Sequence, residues 1–187
     1  MTNRIKMRLM ACLVLAVLAG ATAMKSFANT PDGAEPAKGE ATPCWINAGN
    51  GVSSTARSDH TTLVFKKKMW ILGGNNKNDV WWSSDGSVWK LAAANAGWFE
   101  RSDHASVVFD NKMWVMGGSG NNDVWWSEDG AIWNRATANA EWSGRGGHTA
   151  AVFDGKIWIL GGIAENTYLN DVWYSEDSST WTQATSN

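Results

Sequence analysis

Arg57, Arg101 and Arg145 stand 44 residues apart, and so do His60, His104 and His148. The pairs Gly73-Gly74, Gly117-Gly118 and Gly161-Gly162 keep the same period. Asn78-Asp79-Val80-Trp81 returns at Asn122 after 44 residues and at Asn170 after 48; Trp89, Trp133 and Trp181 repeat those two intervals. One four-residue insertion within 163–169 accounts for the difference. A fixed period of this length belongs to repeat architectures, in which one supersecondary unit stacks on copies of itself.

The chain before the repeats has a different character. Arg4, Lys6 and Arg8 precede an apolar run over 9–23, and Ala23 and Ala28 each close a small-residue cleavage pattern. This is the pattern of a secretory signal over 1–28, and the run is short for a membrane span, which needs roughly 20 residues. A secreted or periplasmic location follows, with no membrane span after cleavage. Residues 29–43 hold all three prolines and no large apolar side chain, so a flexible linker is expected. Cleavage removes four of the 16 basic residues and none of the 18 acidic ones, leaving a net charge of −6. That balance argues against nucleic acid, which selects basic patches. Cys12 leaves with the signal, and Cys44 alone cannot form an internal disulfide.

Each repeat reads as four short strands. In the middle copy 104–109 is rich in small and β-branched residues, Asp110-Asn111 turns the chain, and 112–116 runs back. Asp154-Gly155 at that turn is a strong type I′ signal, since both central residues need positive φ. Lys66-Lys67 is a poor pair there, and a strained or looser hairpin is expected. The double glycine is expected to let the backbone leave the sheet. A third strand at 123–127, a turn at Asp129-Gly130 and a fourth strand at 131–135 complete the unit. Four antiparallel strands with no helical period describe a propeller blade.

An apolar strand ending in Gly-Gly, then an aromatic, then a Trp at fixed offset resembles the kelch repeat of galactose-oxidase-type β-propellers. Ser83, Asp85, Gly86 and Trp89, with Ser127, Asp129, Gly130 and Trp133, resemble the Asp-box turn of sialidase-type propellers. Ser178 replaces the glycine in the third copy, so that turn departs from the pattern. The resemblance implies an all-β, kelch-like β-propeller segment over 44–187, with three four-stranded blades at about 57–97, 101–141 and 145–187. Trp45 lies 44 residues before Trp89, which adds one extra N-terminal strand. Propellers close with 4 to 8 blades. Two readings stand: the chain is a segment of a longer propeller, or copies associate as a homo-oligomer completing it, with the Trp45 strand finishing a partner's blade.

The Trp load is heavy, at 14. The copies at Trp70, Trp114 and Trp158, at Trp81, Trp125 and Trp173, and at Trp89, Trp133 and Trp181 are expected to pack between blades. Trp98 and Trp142 precede Arg101 and Arg145, where Ser54 stands in the first copy, and are the candidates for stacking on sugar rings. His60, His104 and His148 are spaced like the repeat and read as frame, not as metal ligands. Arg57, Arg101 and Arg145 read the same way, with a pocket for an acidic ligand as the alternative. Asp79, Asp123 and Asp171 are expected to cap turns or to bond neighbouring backbone N–H groups.

No G-x-S-x-G elbow, H-E-x-x-H or phosphate-cradling loop occurs, and paired carboxylates fall only in turns. No metal or cofactor is expected. The leading expectation is a non-catalytic secreted binding module whose blade-connecting loops take a protein or glycan, with the insertion around Tyr168 as the best recognition loop. The alternatives are part of a carbohydrate-active propeller enzyme, resembling a sialic acid mutarotase or a sialidase, and a truncated propeller without independent function.

Overall fold

A computed structural model describes residues 56–185, with strands, turns and connecting segments and no helix among them. The expected signal, linker, Cys44 and Trp45 strand lie outside the described residues. Blade 1 comprises β1 (Thr61–Phe65), β2 (Lys68–Gly74), β3 (Lys77–Ser83) and β4 (Lys90–Ala93). Blade 2 comprises β5 (Ala105–Phe109), β6 (Lys112–Gly118), β7 (Asn121–Ser127) and β8 (Asn134–Thr137). Blade 3 comprises β9 (Thr149–Phe153), β10 (Lys156–Ala164), β11 (Thr167–Ser175) and β12 (Thr182–Thr185). Each is an antiparallel sheet in sequential order, and β5 lies beside both β1 and β9, so the first strands are innermost.

Two-residue turns join the first and second strands in every blade. Asp110 and Asn111, and Asp154 and Gly155, have positive φ as type I′ geometry requires. Lys66 (φ 48°) and Lys67 (φ 59°) adopt the same turn, with Phe65 paired to Lys68 as Phe109 is to Lys112. The hairpin is therefore strained but not looser. Sheet pairing overrides a local preference worth about 1–2 kcal/mol per left-handed residue.

The double glycines do not end their strand. Gly73 and Gly74 remain in β2 and form a bulge, with the register shifting between Leu72 and Gly74. A Cβ on Gly74 would lie 2.5 Å from the Ser58 carbonyl oxygen, and one on Gly118 would lie 2.6 Å from the Ser102 oxygen. Glycine is required because the second strand passes against the segment that leads into the first.

The insertion also differs from expectation. Residues 163–169 are not a lengthened loop. They extend β10 and β11 as a paired ribbon, Ile163 opposite Tyr168, closed by a turn at Glu165 and Asn166 with positive φ at both. Ser178 has φ 65° and reproduces the turn its glycine counterparts make: its N–H donates to Ser175 Oγ at 2.7 Å, and the Thr180 N–H to Asp177 Oδ1 at 2.8 Å.

The core lies between blades. One cluster joins Trp70, Leu72 and Val80 of blade 1 to Met113, Val115 and Trp133 of blade 2. A second joins Trp114, Met116 and Val124 of blade 2 to Ile157, Ile159 and Trp181 of blade 3. Close packing is literal here: a Cβ on Gly130 would lie 2.1 Å from the Trp70 ring. Replacing Lys66-Lys67 with Asn-Gly should relieve the strained turn, raising stability by about 1–2 kcal/mol. Thermal unfolding followed by circular dichroism should show a midpoint several degrees higher.

Candidate functional site

The charged residues of the repeat pair with one another. Arg101 donates from Nη1 and Nη2 to Asp123 Oδ1 and Oδ2, both at 2.9 Å, and from Nη1 to the Gly117 carbonyl at 2.7 Å. Arg145 repeats this with Asp171 at 2.6 and 2.8 Å and Gly161 at 2.8 Å; Arg57 does so with Asp79 at 2.8 and 2.9 Å and Gly73 at 2.9 Å. The indole N–H groups of Trp81, Trp125 and Trp173 complete the carboxylates at 2.7–2.8 Å. Asp79, Asp123 and Asp171 are thus partners of arginine and tryptophan side chains, in place of the turn caps or backbone N–H acceptors expected of them. The guanidinium groups are occupied and nearly sealed from solvent, so they line no pocket for an acidic ligand.

Arg101 and Arg145 also carry the chain from one blade to the next. The Gly74 N–H donates to the Arg101 carbonyl at 3.1 Å and the Arg101 N–H to the Lys77 carbonyl at 3.2 Å. Gly118, Arg145 and Asn121 make the same two bonds at 2.8 and 3.1 Å. Bonding of Arg145 to Asp171 keeps that carboxyl below its ordinary range. Burial pushes Asp79 the other way, but hydrogen bonds from Arg57 and Trp81 outweigh it.

Trp98 and Trp142 are each 1% exposed and offer no face to a sugar ring. The connecting segment folds inward between blades, where Trp98 meets Trp133 edge-on with ring centroids 5.8 Å apart, and Trp142 meets Trp181 at 5.9 Å. Such burial stabilises each by roughly 4–6 kcal/mol gross, which explains why the indoles turn in. Trp70, Trp114, Trp125, Trp133 and Trp181 are buried, while Trp81, Trp89, Trp158 and Trp173 are half-buried.

His104 and His148 sit beside these indoles, at 6.3 Å from Trp98 and 6.1 Å from Trp142. His104 Nε2 is 2.9 Å from Thr61 Oγ1 on the preceding blade. Burial, with Arg101 adjacent, lowers the His104 pKa to about 3; burial and Arg145 lower that of His148 to about 4. Burial, then Arg57, also lowers His60. Both deeply placed rings are therefore neutral at ordinary pH. No group of three or more His, Cys, Asp or Glu among the described residues is disposed to hold a metal ion.

The blade end that carries the second-to-third-strand turns holds two exposed large aromatics. Tyr168 is 83% exposed on the extended ribbon. Phe99 is 75% exposed and escaped sequence reasoning, although Ser143 at its place in the next copy marks it as a break in the repeat. Its backbone is fixed on both sides: the Trp98 carbonyl accepts from Asn78 Nδ2 at 3.2 Å and the Phe99 carbonyl from Arg101 Nε at 3.1 Å. Asn78, Trp98, Phe99 and Glu100 border a shallow depression of about 540 Å³. Asp59, Glu100, Asp103 and Glu165 are exposed at this end, which makes it acidic. At the opposite end a depression of about 520 Å³ opens between blades 2 and 3, beside Asp110, Trp126 and Glu176. At the 1–2 junction Lys66 Nζ bridges instead to the Glu128 carbonyl at 2.9 Å.

Three four-stranded blades, stitched by buried Arg–Asp pairs and sealed by interblade tryptophans, define an all-β propeller segment. The family model described as Kelch motif matches residues 144–187, the third of three copies that run in register. No curated protein matches the chain.

Replacing Asp123 with Ala strands a buried guanidinium and an indole N–H, and should cost about 3–5 kcal/mol. Chemical denaturation should show that loss as a lowered midpoint, with a smaller loss for Asp79→Ala, whose site is more open. Acid should also unfold the chain early. Below the ordinary imidazole value of 6.5 the unfolded chain gains protons that native His104 and His148 refuse until about 3 and about 4. Stability therefore falls as pH drops from 6.5, by about 2–3 kcal/mol per ring at about pH 4.5. The depressed Asp171 adds its own loss only below the unfolded carboxylate value of 3.8. A thermal midpoint measured against pH should show this slope, and His104→Gln with His148→Gln should flatten it.

Proposed function

We propose that the chain is a non-catalytic binding module that engages a protein partner through the acidic blade end carrying Phe99 and Tyr168. The observation that carries this is the exposure of these two large aromatics, both at positions where the repeat is broken. A residue repeated in every blade serves the frame, so recognition falls to residues that are not. Leaving an aromatic ring in water forfeits burial, and rings on a pre-organised backbone recover it on binding with little ordering cost. The partner surface complementary to this end is apolar with a basic surround, since Asp59, Glu100, Asp103 and Glu165 frame it. Support also comes from the Kelch motif match, because kelch repeats generally mediate protein interactions. The basic-then-apolar N-terminal pattern supports a place of action outside the cytoplasm.

Affinity capture with the chain as bait, from the compartment outside the cytoplasm, tests the reading. Phe99→Ala with Tyr168→Ala should weaken binding of the captured protein about tenfold or more while leaving the thermal midpoint unchanged. Binding that survives both substitutions, or selective retention on a glycan array, would refute it.

A further inference from the structure

In blades 1 and 2 one face of each sheet is sealed by the following blade, and in blade 3 the same face is bare. Leu72 and Met116 are both 0% exposed, yet Leu160 at the same position is 40% exposed. Phe65 is 4% exposed and its counterpart Phe153 is 70% exposed. Trp158 is half-buried where Trp70 and Trp114 are buried. The residue types barely change, so blade 3 carries the composition of an interblade face without its cover. Apolar surface of this extent on a folded chain marks an interaction site.

What such a face accepts is visible twice within the chain. Met113, Val115 and Trp133 of blade 2 seal blade 1, and Ile157, Ile159 and Trp181 of blade 3 seal blade 2. Blade 1 carries the same set as Met69, Ile71 and Trp89, of which Ile71 is buried within the blade while Met69 and Trp89 are not. Met69 is 38% exposed, whereas Met113 and Ile157 are 0% exposed. Trp81 and Trp89 are half-buried where Trp125 and Trp133 are buried. One chain therefore displays both halves of a junction that it makes internally, the acceptor on blade 3 and the donor on blade 1.

We infer that two copies of this chain associate head to tail, blade 3 of each seating on blade 1 of the other. Both junctions are alike and related by a two-fold axis, so the pair closes on itself with six blades, within the range at which propellers close. The junction is made by faces without strand exchange, because β12 (Thr182–Thr185) already fills the outer position of blade 3. A Trp45 strand is not needed to finish a partner's blade. The inference is independent of the binding role given to Phe99 and Tyr168.

Light scattering on the purified chain should give twice the chain mass, dissociating on dilution. Leu160→Glu and Met69→Glu each place a charge on a surface that the isolated chain exposes, and each alone should yield monomer with unchanged circular dichroism. Phe153→Glu serves as a second acceptor-face variant. Mixing Leu160→Glu with Met69→Glu should restore a dimer, because one junction then pairs two unaltered faces. A wild-type chain that is monomeric at its highest soluble concentration would overturn the inference. So would a Met69→Glu chain that stays dimeric while Leu160→Glu does not, since that pattern belongs to two blade 3 faces meeting each other. Phe99→Ala with Tyr168→Ala should leave the dimer intact, so failure of either proposal is read separately.

Discussion

The buried bidentate pair between Arg101 and Asp123, with its copies at Arg57–Asp79 and Arg145–Asp171, is the contact on which the other features depend. A guanidinium removed from water is tolerable only if its donors are filled in good geometry. The carboxylate takes two of them and the glycine carbonyl a third contact. The indole N–H then completes the carboxylate. That one cluster fixes four things together: the bulge at the double glycine, the start of the third strand, the orientation of a tryptophan, and the point where the chain enters the next blade. Because the arginine's own N–H and C=O bond to the preceding blade, the charge pair and the interblade seam are one structure.

Around that cluster, space is rationed by glycine and filled by indole. Gly73 lies 3.1 Å, from its would-be Cβ, to the His104 ring of the following blade, and Gly117 lies 2.9 Å from that of His148. His104 and His148 are therefore interblade spacers held neutral by burial. Trp98 and Trp142 occupy the remaining gap, each edge-on to the tryptophan that opens the next blade's outer strand. A seam of this kind is directional, since one blade always contributes the Leu72 face and the next the Met113 face. Directionality is also what leaves two unlike faces at the ends of the row of blades.

Much of this was legible in the periodicity. Three four-stranded blades, their turns and the interblade role of most tryptophans follow from residues recurring in register. Other features depend on contacts between distant residues. Arg101 and Asp123 are 22 residues apart, and nothing local in either motif announces the other, though the separation widens to 26 with the insertion and so travels with the repeat. Trp98 and Trp142 lie between strands, where exposure is the usual condition. Their segment instead folds between two sheets, and that depends on the spacing of blades. Phe99 went unnoticed beside Trp98, although the ring next in sequence faces water. The insertion read as a loop because its length was visible and its pairing was not.

The sequence by itself determined the strand pattern and the number of blades described, because those follow from alternation and turn chemistry within one repeat. Only the tertiary structure decided which aromatics are buried, which charges are spent on each other and which blade face is left bare. Those outcomes belong to surfaces meeting between repeats. The same phenylalanine is sealed at Phe65 and open at Phe153. Identical residues in identical strands differ only in whether another blade lies against them.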